Sequence, residues 1–308
     1  MQVSSNRSHK PRYWQIQRVE GYLLISPWLI GLVLFTLGPI MVSFALSFTN
    51  WDIVRPADFI GLQNYIRIFT QDRLFKQALY NTFYFAAGSV PLSLALALGL
   101  ALLLNQGIRG TNIARTVFYM PSVVSLVAMG LLWRFMLQPQ IGVVNYLLGL
   151  IGIQGPTWLG SPIWSKPALI LVSLMYVGPQ TVIFLAGLKG IPLHLYEASE
   201  LDGAGTLAKF RHVTLPMLSP TIFFNMVTSV IHAFQVFALV YVMFSGPSTP
   251  AHGPLNSTLV YALYVYEQAF QQLHMGYASA LAWIMFLIIM VMTLLQLRFS
   301  RWVYYERG

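Results

Sequence analysis

The sequence predicts an all-α integral membrane protein of six transmembrane helices, and three observations carry that expectation. Hydrophobic residues make up 56% of the 308 residues and charged residues only 9%, whereas soluble domains carry roughly 25% charge. Mean hydropathy is +0.64. Six apolar stretches, approximately 22–48, 78–104, 114–136, 167–188, 220–244 and 276–297, reach the ~20 residues that a spanning helix needs. No alternating pattern of about ten residues repeats, which excludes a transmembrane barrel.

The first span is too long for a signal-peptide core and lacks a small-residue cleavage site, so it is expected to remain as an uncleaved anchor. Prolines within the spans (Pro27, Pro39, Pro91, Pro121, Pro179) are expected to kink or interrupt them. The third span, with Pro121 inside it and Arg134 near its far end, has the least defined limits.

Positive residues set the orientation. Arg7, Lys10, Arg12 and Arg18 precede span one, Arg109 and Arg115 follow span two, Lys189, Lys209 and Arg211 follow span four, and Arg298, Arg301 and Arg307 follow span six. Segments 137–165 and 245–275 contain no Lys or Arg. Segment 50–77 departs from the trend with Arg55, Arg67, Arg73 and Lys76, partly offset by Asp52, Asp58 and Asp72. Both termini and the 189–219 loop are therefore expected in the cytoplasm. The chain divides into a tail (1–20), one membrane domain (21–298) and a second tail (299–308).

Several function classes are excluded at this level. The net charge of +9 sits in tails and loops, which is a juxtamembrane bias and not a nucleic-acid footprint. Zero cysteines exclude a disulfide scaffold and a cysteine-ligated metal. The six histidines (9, 194, 212, 232, 252 and 274) are scattered with no H-E-x-x-H, so neither a metal site nor a catalytic residue is expected. No G-x-x-x-x-G-K-[ST] phosphate loop occurs.

The most informative polar segment is YEASELDGAGTLAKFRHVTLPMLSP, residues 196–220, where Glu197, Glu200 and Asp202 supply three of the chain's nine acids. Pro192 can open a helix, Gly203 and Gly205 permit a reversal, and TLAKFRHV can form a second short helix ending before Pro216, with Pro220 opening span five. A helix that presents Tyr196, Glu197 and Leu201 beyond the membrane has little to bury against in its own chain. It is shaped to enter a groove on another protein; the alternative is a solvated loop whose acids keep it soluble.

This segment resembles the "EAA" loop of permease subunits in ATP-binding-cassette importers, and Tyr196-Glu197-Ala198-Ser199 with Asp202-Gly203-Ala204 is similar to the carbohydrate-uptake branch, the maltose-permease-like family. Ser199 stands where many members have Ala. Phe59-Ile60-Gly61-Leu62-Gln63-Asn64-Tyr65, Asn81-Thr82, Gly142 to Asn145, Trp158-Leu159 and MGYASALAW extend the likeness over most of the chain. The resemblance implies a type I importer permease fold in a prokaryotic plasma membrane, in its compact six-span form. It implies that Tyr196, Glu197, Ala198, Ser199, Asp202, Gly203 and Ala204 contact a cytoplasmic ATPase. The implied partners are a second, different permease subunit, two ATPases and an extracytoplasmic solute-binding protein. ATP and magnesium would belong to the ATPases, with no cofactor in this chain.

A substrate path is expected where polar residues face the bundle interior. Thr228, His232 and Gln235 fall at i, i+4 and i+7 on span five, and Tyr176 and Gln180 are four apart on span four around Gly178-Pro179. Hydroxyl and amide groups beside Phe234, Phe237 and Tyr241 suit a sugar. The competing reading is interhelical bonding, each bond contributing about 0.6 kcal/mol, and Asn81 and Asn225 are assigned to it. A mono-, di- or oligosaccharide is the favoured solute, a polyol phosphate ester the alternative. The scarcity of intramembrane acids disfavours a proton-coupled carrier.

Overall fold

The computed structural model describes residues 13–106, 111–246, 252–300 and 303. Arg7, Lys10, Arg12, Arg109, Arg301 and Arg307, which bear on the orientation, lie outside the described residues. Among those described the chain is helical, with one isolated bridge between Thr49 and Phe59 and no strand. Three helices are long and apolar enough to cross a membrane: Gly21–Leu46, Arg73–Asn105 and Met275–Arg298. Three bent pairs bring the number to six when each pair is one span: Ile113–Val123 with Leu126–Met136 (98°), Ser165–Tyr176 with Gly178–Lys189 (49°) and Thr206–Met217 with Ser219–Phe234 (64°). Span five then continues through Ala238–Phe244.

The prolines act less uniformly than expected. Pro91 sits inside the unbroken 33-residue helix Arg73–Asn105, which is about 50 Å long and projects beyond a ~30 Å hydrocarbon core. Pro27 is likewise carried within Tyr13–Leu32, and a π-helical turn, Val33–Leu37, precedes Pro39. Pro121 does precede a break: the helix ends at Val123, and Ser125 caps the next one by accepting the Ala128 N–H at 3.2 Å. The second short helix after the elbow does not stop before Pro216. It runs Thr206–Lys209, passes through a π turn at Phe210–Thr214 and continues to Met217; the wider turn accommodates the missing proline donor.

Spans two, four and five form the packed centre. Ala97 and Ala101, both fully buried, let span two approach Phe184 and Leu188 of span four, while Phe85, Ala168, Phe234, Tyr261 and Leu281 make a second cluster nearer the expected outer side. Small residues at such contacts gain van der Waals packing, which drives helix association where lipid removes the hydrophobic term. Span one stands apart: Leu24 is 82% and Phe35 82% exposed. It meets span six near its end, where Phe44 lies edge-on to Trp283 at 4.8 Å.

Polar side chains pin the outer segments. Asn64 donates to the carbonyls of Ser47 (2.9 Å) and Thr49 (2.8 Å), closing the end of span one, and Tyr65 donates to Ser47 Oγ at 2.8 Å. Asn81 donates to the carbonyls of Asn256 and Leu259, each at 2.9 Å, and Thr82 Oγ1 accepts the Tyr261 N–H at 2.8 Å. The segment they hold includes Leu255 and Asn256 at positive φ (53° and 57°); irregular backbone of this kind needs internal partners wherever water is scarce. Trp158 Nε1 donates to Asn145 Oδ1 at 2.7 Å, tying 143–150 to the following turn.

Candidate substrate cavity and coupling elbow

The breaks in spans three, four and five converge on one cavity of 790 Å³. Leu126 lines it just after the span-three break. Tyr176, Val177 and Pro179 line it where span four passes from a 3₁₀ turn, Leu174–Tyr176, into Gly178–Lys189. Gln235, Val236 and Phe237 line it where span five is interrupted between Ser219–Phe234 and Ala238–Phe244. Phe237 there has φ −138° and ψ −66°. Non-helical backbone at membrane depth persists where it faces protein or a water-filled cavity, and discontinuous helices are where transporters place their solutes. The volume falls within the roughly 300–1,000 Å³ of small-molecule sites.

All five expected path residues reach this cavity: Tyr176, Gln180, Thr228, His232 and Gln235. They differ in how they are engaged. Gln180 Nε2 donates to Ser229 Oγ at 2.9 Å, an interhelical bond between spans four and five. Thr228 Oγ1 donates back to the carbonyls of Phe224 (2.9 Å) and Asn225 (3.1 Å). His232 and Gln235 are exposed, and neither side chain has a hydrogen-bond partner among the described residues. The Tyr176 hydroxyl and Gln180 Oε1 are buried atoms without a partner among them.

Asn225 corrects one expectation. Asn81 does bond between segments, but Asn225 is fully buried with both amide atoms unpartnered, and it lines the cavity. An unsatisfied buried amide costs about 1–3 kcal/mol, which a water or a hydroxylated ligand in the cavity would recover. The signal was available: Asn225 precedes Thr228 by three positions and so extends the same helical stripe. Ser89 and Ser93 of span two, four apart, also line the cavity. Serine is too common in membrane helices for that pair to stand out.

The elbow is a capped helix. Pro192 occupies the N-cap position, with φ −61° and ψ 132°, one place before the helix Leu193–Leu201. At the other end the Gly203 N–H bonds the Glu200 carbonyl and the Ala204 N–H bonds the Ser199 carbonyl, both at 2.9 Å, with Gly203 at φ +77°. That is a Schellman closure, which requires the left-handed residue that Gly supplies without strain. Gly205, at φ −71°, needs no such freedom. Glu197, Ala198, Asp202 and Gly203 are exposed and Leu201 is 91% exposed; Ser199 and Ala204 are half-buried.

Tyr196 departs from the expected outward face. It packs on the inner cluster and its hydroxyl lies 3.0 Å from Thr214 Oγ1, so it fastens the two short helices to each other. Glu200 is ion-paired with Lys209 across the same hinge.

Comparison with known proteins matches residues 59–304 to the family described as "Binding-protein-dependent transport system inner membrane component". The chain is 41% identical over 300 residues to the probable ABC transporter permease protein YesP of Bacillus subtilis, covering 96% of each. It is 34% identical to the lactose transport system permease protein LacF of Rhizobium radiobacter, covering 97% of this chain and 99% of that protein. Among solved structures it superposes on a chain of a bacterial ABC transporter that imports the acidic polysaccharide alginate, with TM-score 0.82, 25% identity, and 96% and 100% coverage. The related alginate transporter complexed with its oligosaccharide-bound periplasmic protein gives TM-score 0.81. With breaks in three helical spans opening on one cavity and an acidic elbow between spans four and five, this chain belongs to the inner-membrane component family of binding-protein-dependent transport systems and is a multi-pass ABC importer permease of the type I fold.

Proposed function

We propose that the chain is one of two different permease subunits in an ATP-driven importer of sugars. The solute would be a mono-, di- or oligosaccharide delivered by an extracytoplasmic binding protein across a prokaryotic inner membrane. The cavity supports this reading most directly: the Tyr176 hydroxyl, Gln180 Oε1, the Asn225 amide and the His232 and Gln235 side chains have no partner among the described residues and stand beside Phe237. Such a set can exchange hydrogen bonds with a ring of hydroxyls while an aromatic face meets the apolar side of a pyranose. Among the described residues no Lys, Arg, Asp or Glu lines the cavity, which favours a neutral solute. The lactose permease among the relatives fits a neutral saccharide, and the alginate transporters among the structures support a saccharide without sharing that neutrality.

ATP hydrolysis, with its magnesium, is assigned to two cytoplasmic ATPase partners, in keeping with the missing phosphate loop. Their closure would move the elbow at Glu197, Ala198, Ser199, Asp202, Gly203 and Ala204, with Tyr196 transmitting the push to Thr214 and span five. Small residues allow the close approach, and the exposed carboxylates can meet donors on the partner. The experiment is uptake into proteoliposomes holding both permeases, the ATPases and the binding protein. Saccharide uptake should require ATP, and Asn225→Leu with His232→Ala should lower it at least tenfold while ATPase assembly persists. Uptake by this chain alone, without ATPases, would contradict the proposal.

A further inference from the structure

We propose that a crevice on the back of span four holds an anionic phospholipid from the leaflet on the expected cytoplasmic side, its phosphate on Arg115 and an acyl chain along the apolar walls. The crevice measures 420 Å³ and lies between the end of span two (Leu104), the first half of span three (Arg115, Phe118) and span four (Val182, Leu185). It is separate from the solute cavity. Within the helix Gly178–Lys189, Gly178, Thr181, Val182 and Leu185 line the crevice, whereas Pro179, Gln180 and Ile183 line the cavity. A turn of 3.6 residues puts these two sets on opposite faces of the helix. The inference is therefore independent of what the cavity carries.

Polarity is graded along the crevice as it is along an amphiphile. Leu104 ends the apolar stretch 78–104, at the level where hydrocarbon meets headgroups. Its carbonyl accepts a hydrogen bond from Arg115 Nη2 at a long 3.4 Å. Arg115 Nε is buried without a partner, and Arg115 makes no ion pair among the described residues. No Asp or Glu is among the described residues that line the crevice. Inward from this charged mouth the walls are apolar. They run from Leu185 past Val182 to Gly178, seven residues and about 10 Å deeper along span four. A Cβ on Gly178 would lie 3.1 Å from the Phe118 carbonyl oxygen, so spans three and four close the deep end. Phe118 and Val182 are exposed, which leaves the side of the crevice open on this chain.

A guanidinium short of acceptors above an apolar trough is complementary to a phosphate diester above an acyl chain. The planar fork of Arg meets phosphate oxygens two at a time, and basic pockets between membrane helices on the cytoplasmic side take anionic headgroups. A soluble anion would satisfy Arg115 and leave the trough unfilled. An apolar helix of another subunit would fill the trough and leave the buried N–H unpaired, at the cost of an unsatisfied donor. A phospholipid does both, and once seated it ties the start of span three to spans two and four.

The test is native mass spectrometry of the full transporter complex, released in mild detergent from membranes of equal phosphatidylglycerol and phosphatidylcholine. The unmutated complex should keep a tightly held phosphatidylglycerol that Arg115→Gln loses. Val182→Trp, which fills the trough with Arg115 in place, should lose it too, and both variants should still assemble. A benzophenone side chain placed at position 182 should label lipid on illumination. The same phosphatidylglycerol count in Arg115→Gln as in the unmutated complex would overturn the proposal, as would equal retention of phosphatidylcholine at this site. Retention of the lipid by Val182→Trp would remove the crevice as its seat. Capture of the second permease subunit by the benzophenone would identify the trough as a protein interface and overturn the proposal, with the sugar reading untouched.

Discussion

Asp72 shows how much a single outer carboxylate can organise. It caps the long second span by accepting the Phe75 N–H at 2.9 Å, and its other oxygen accepts the hydroxyls of Tyr264 (2.5 Å) and Tyr277. Arg67 lies over the Tyr277 ring at 4.9 Å. Burial and the adjoining carboxylate push the Tyr264 phenol well above its ordinary value, so it stays a donor. Asp72→Ala removes the cap and strands two phenols. It should destabilise the chain by about 2–4 kcal/mol, read as a lower unfolding midpoint in detergent, with Asp72→Asn intermediate. Glu267 carries a pH prediction. Burial raises its carboxyl from the ordinary 4.5 to about 7, so the folded state holds a proton that the unfolded chain releases. Stability should therefore fall as pH rises from about 4.5 to about 7. His252, 3.6 Å away and lowered by burial, works in the opposite sense below its ordinary 6.5. Glu267→Gln should remove the falling limb from a thermal-melt pH series, leaving the rising one.

At the scale of elements, glycine marks where two pieces must touch. A Cβ on Gly276 would lie 2.1 Å from the Thr49 carbonyl oxygen, and the Gly276 N–H bonds the Trp51 carbonyl at 2.9 Å. The start of span six is thus pressed on the end of span one. Gly276→Ala should cost at least about 1–3 kcal/mol by forcing that contact apart, measured by thermal unfolding. Much of this level was legible beforehand. The hydropathy of 78–104 and 276–297 dictates long helices whatever their neighbours do, and Asp202-Gly203 is a readable helix stop. The break of span five at Gln235–Phe237 was not, because no proline or glycine marks it; the cavity and its tertiary packing decide it. Pro91 misled for the converse reason: its neighbours keep the helix going once the missing bond is absorbed.

For the whole molecule, the class, the number of spans and the stripe through Thr228 and His232 could be read from periodicity, since lipid leaves few places for polar groups. The inward turn of Tyr196 could not, because it depends on Thr214, eighteen residues away. Among the described residues span one, with no buried residue along Gly21–Leu46, and the acidic elbow are both left largely uncovered by the rest of the chain. The central claim is that the elbow is driven by separate ATPase subunits. Because the chain contains no cysteine, Ala198→Cys introduces its single thiol at the elbow, and cross-linking from that thiol in the assembled transporter is the most direct measurement. The account predicts a cross-link to the ATPase whose yield changes with ATP and binding protein. A thiol that stays equally open to alkylation with and without the ATPases, in complexes that still import solute, would contradict it.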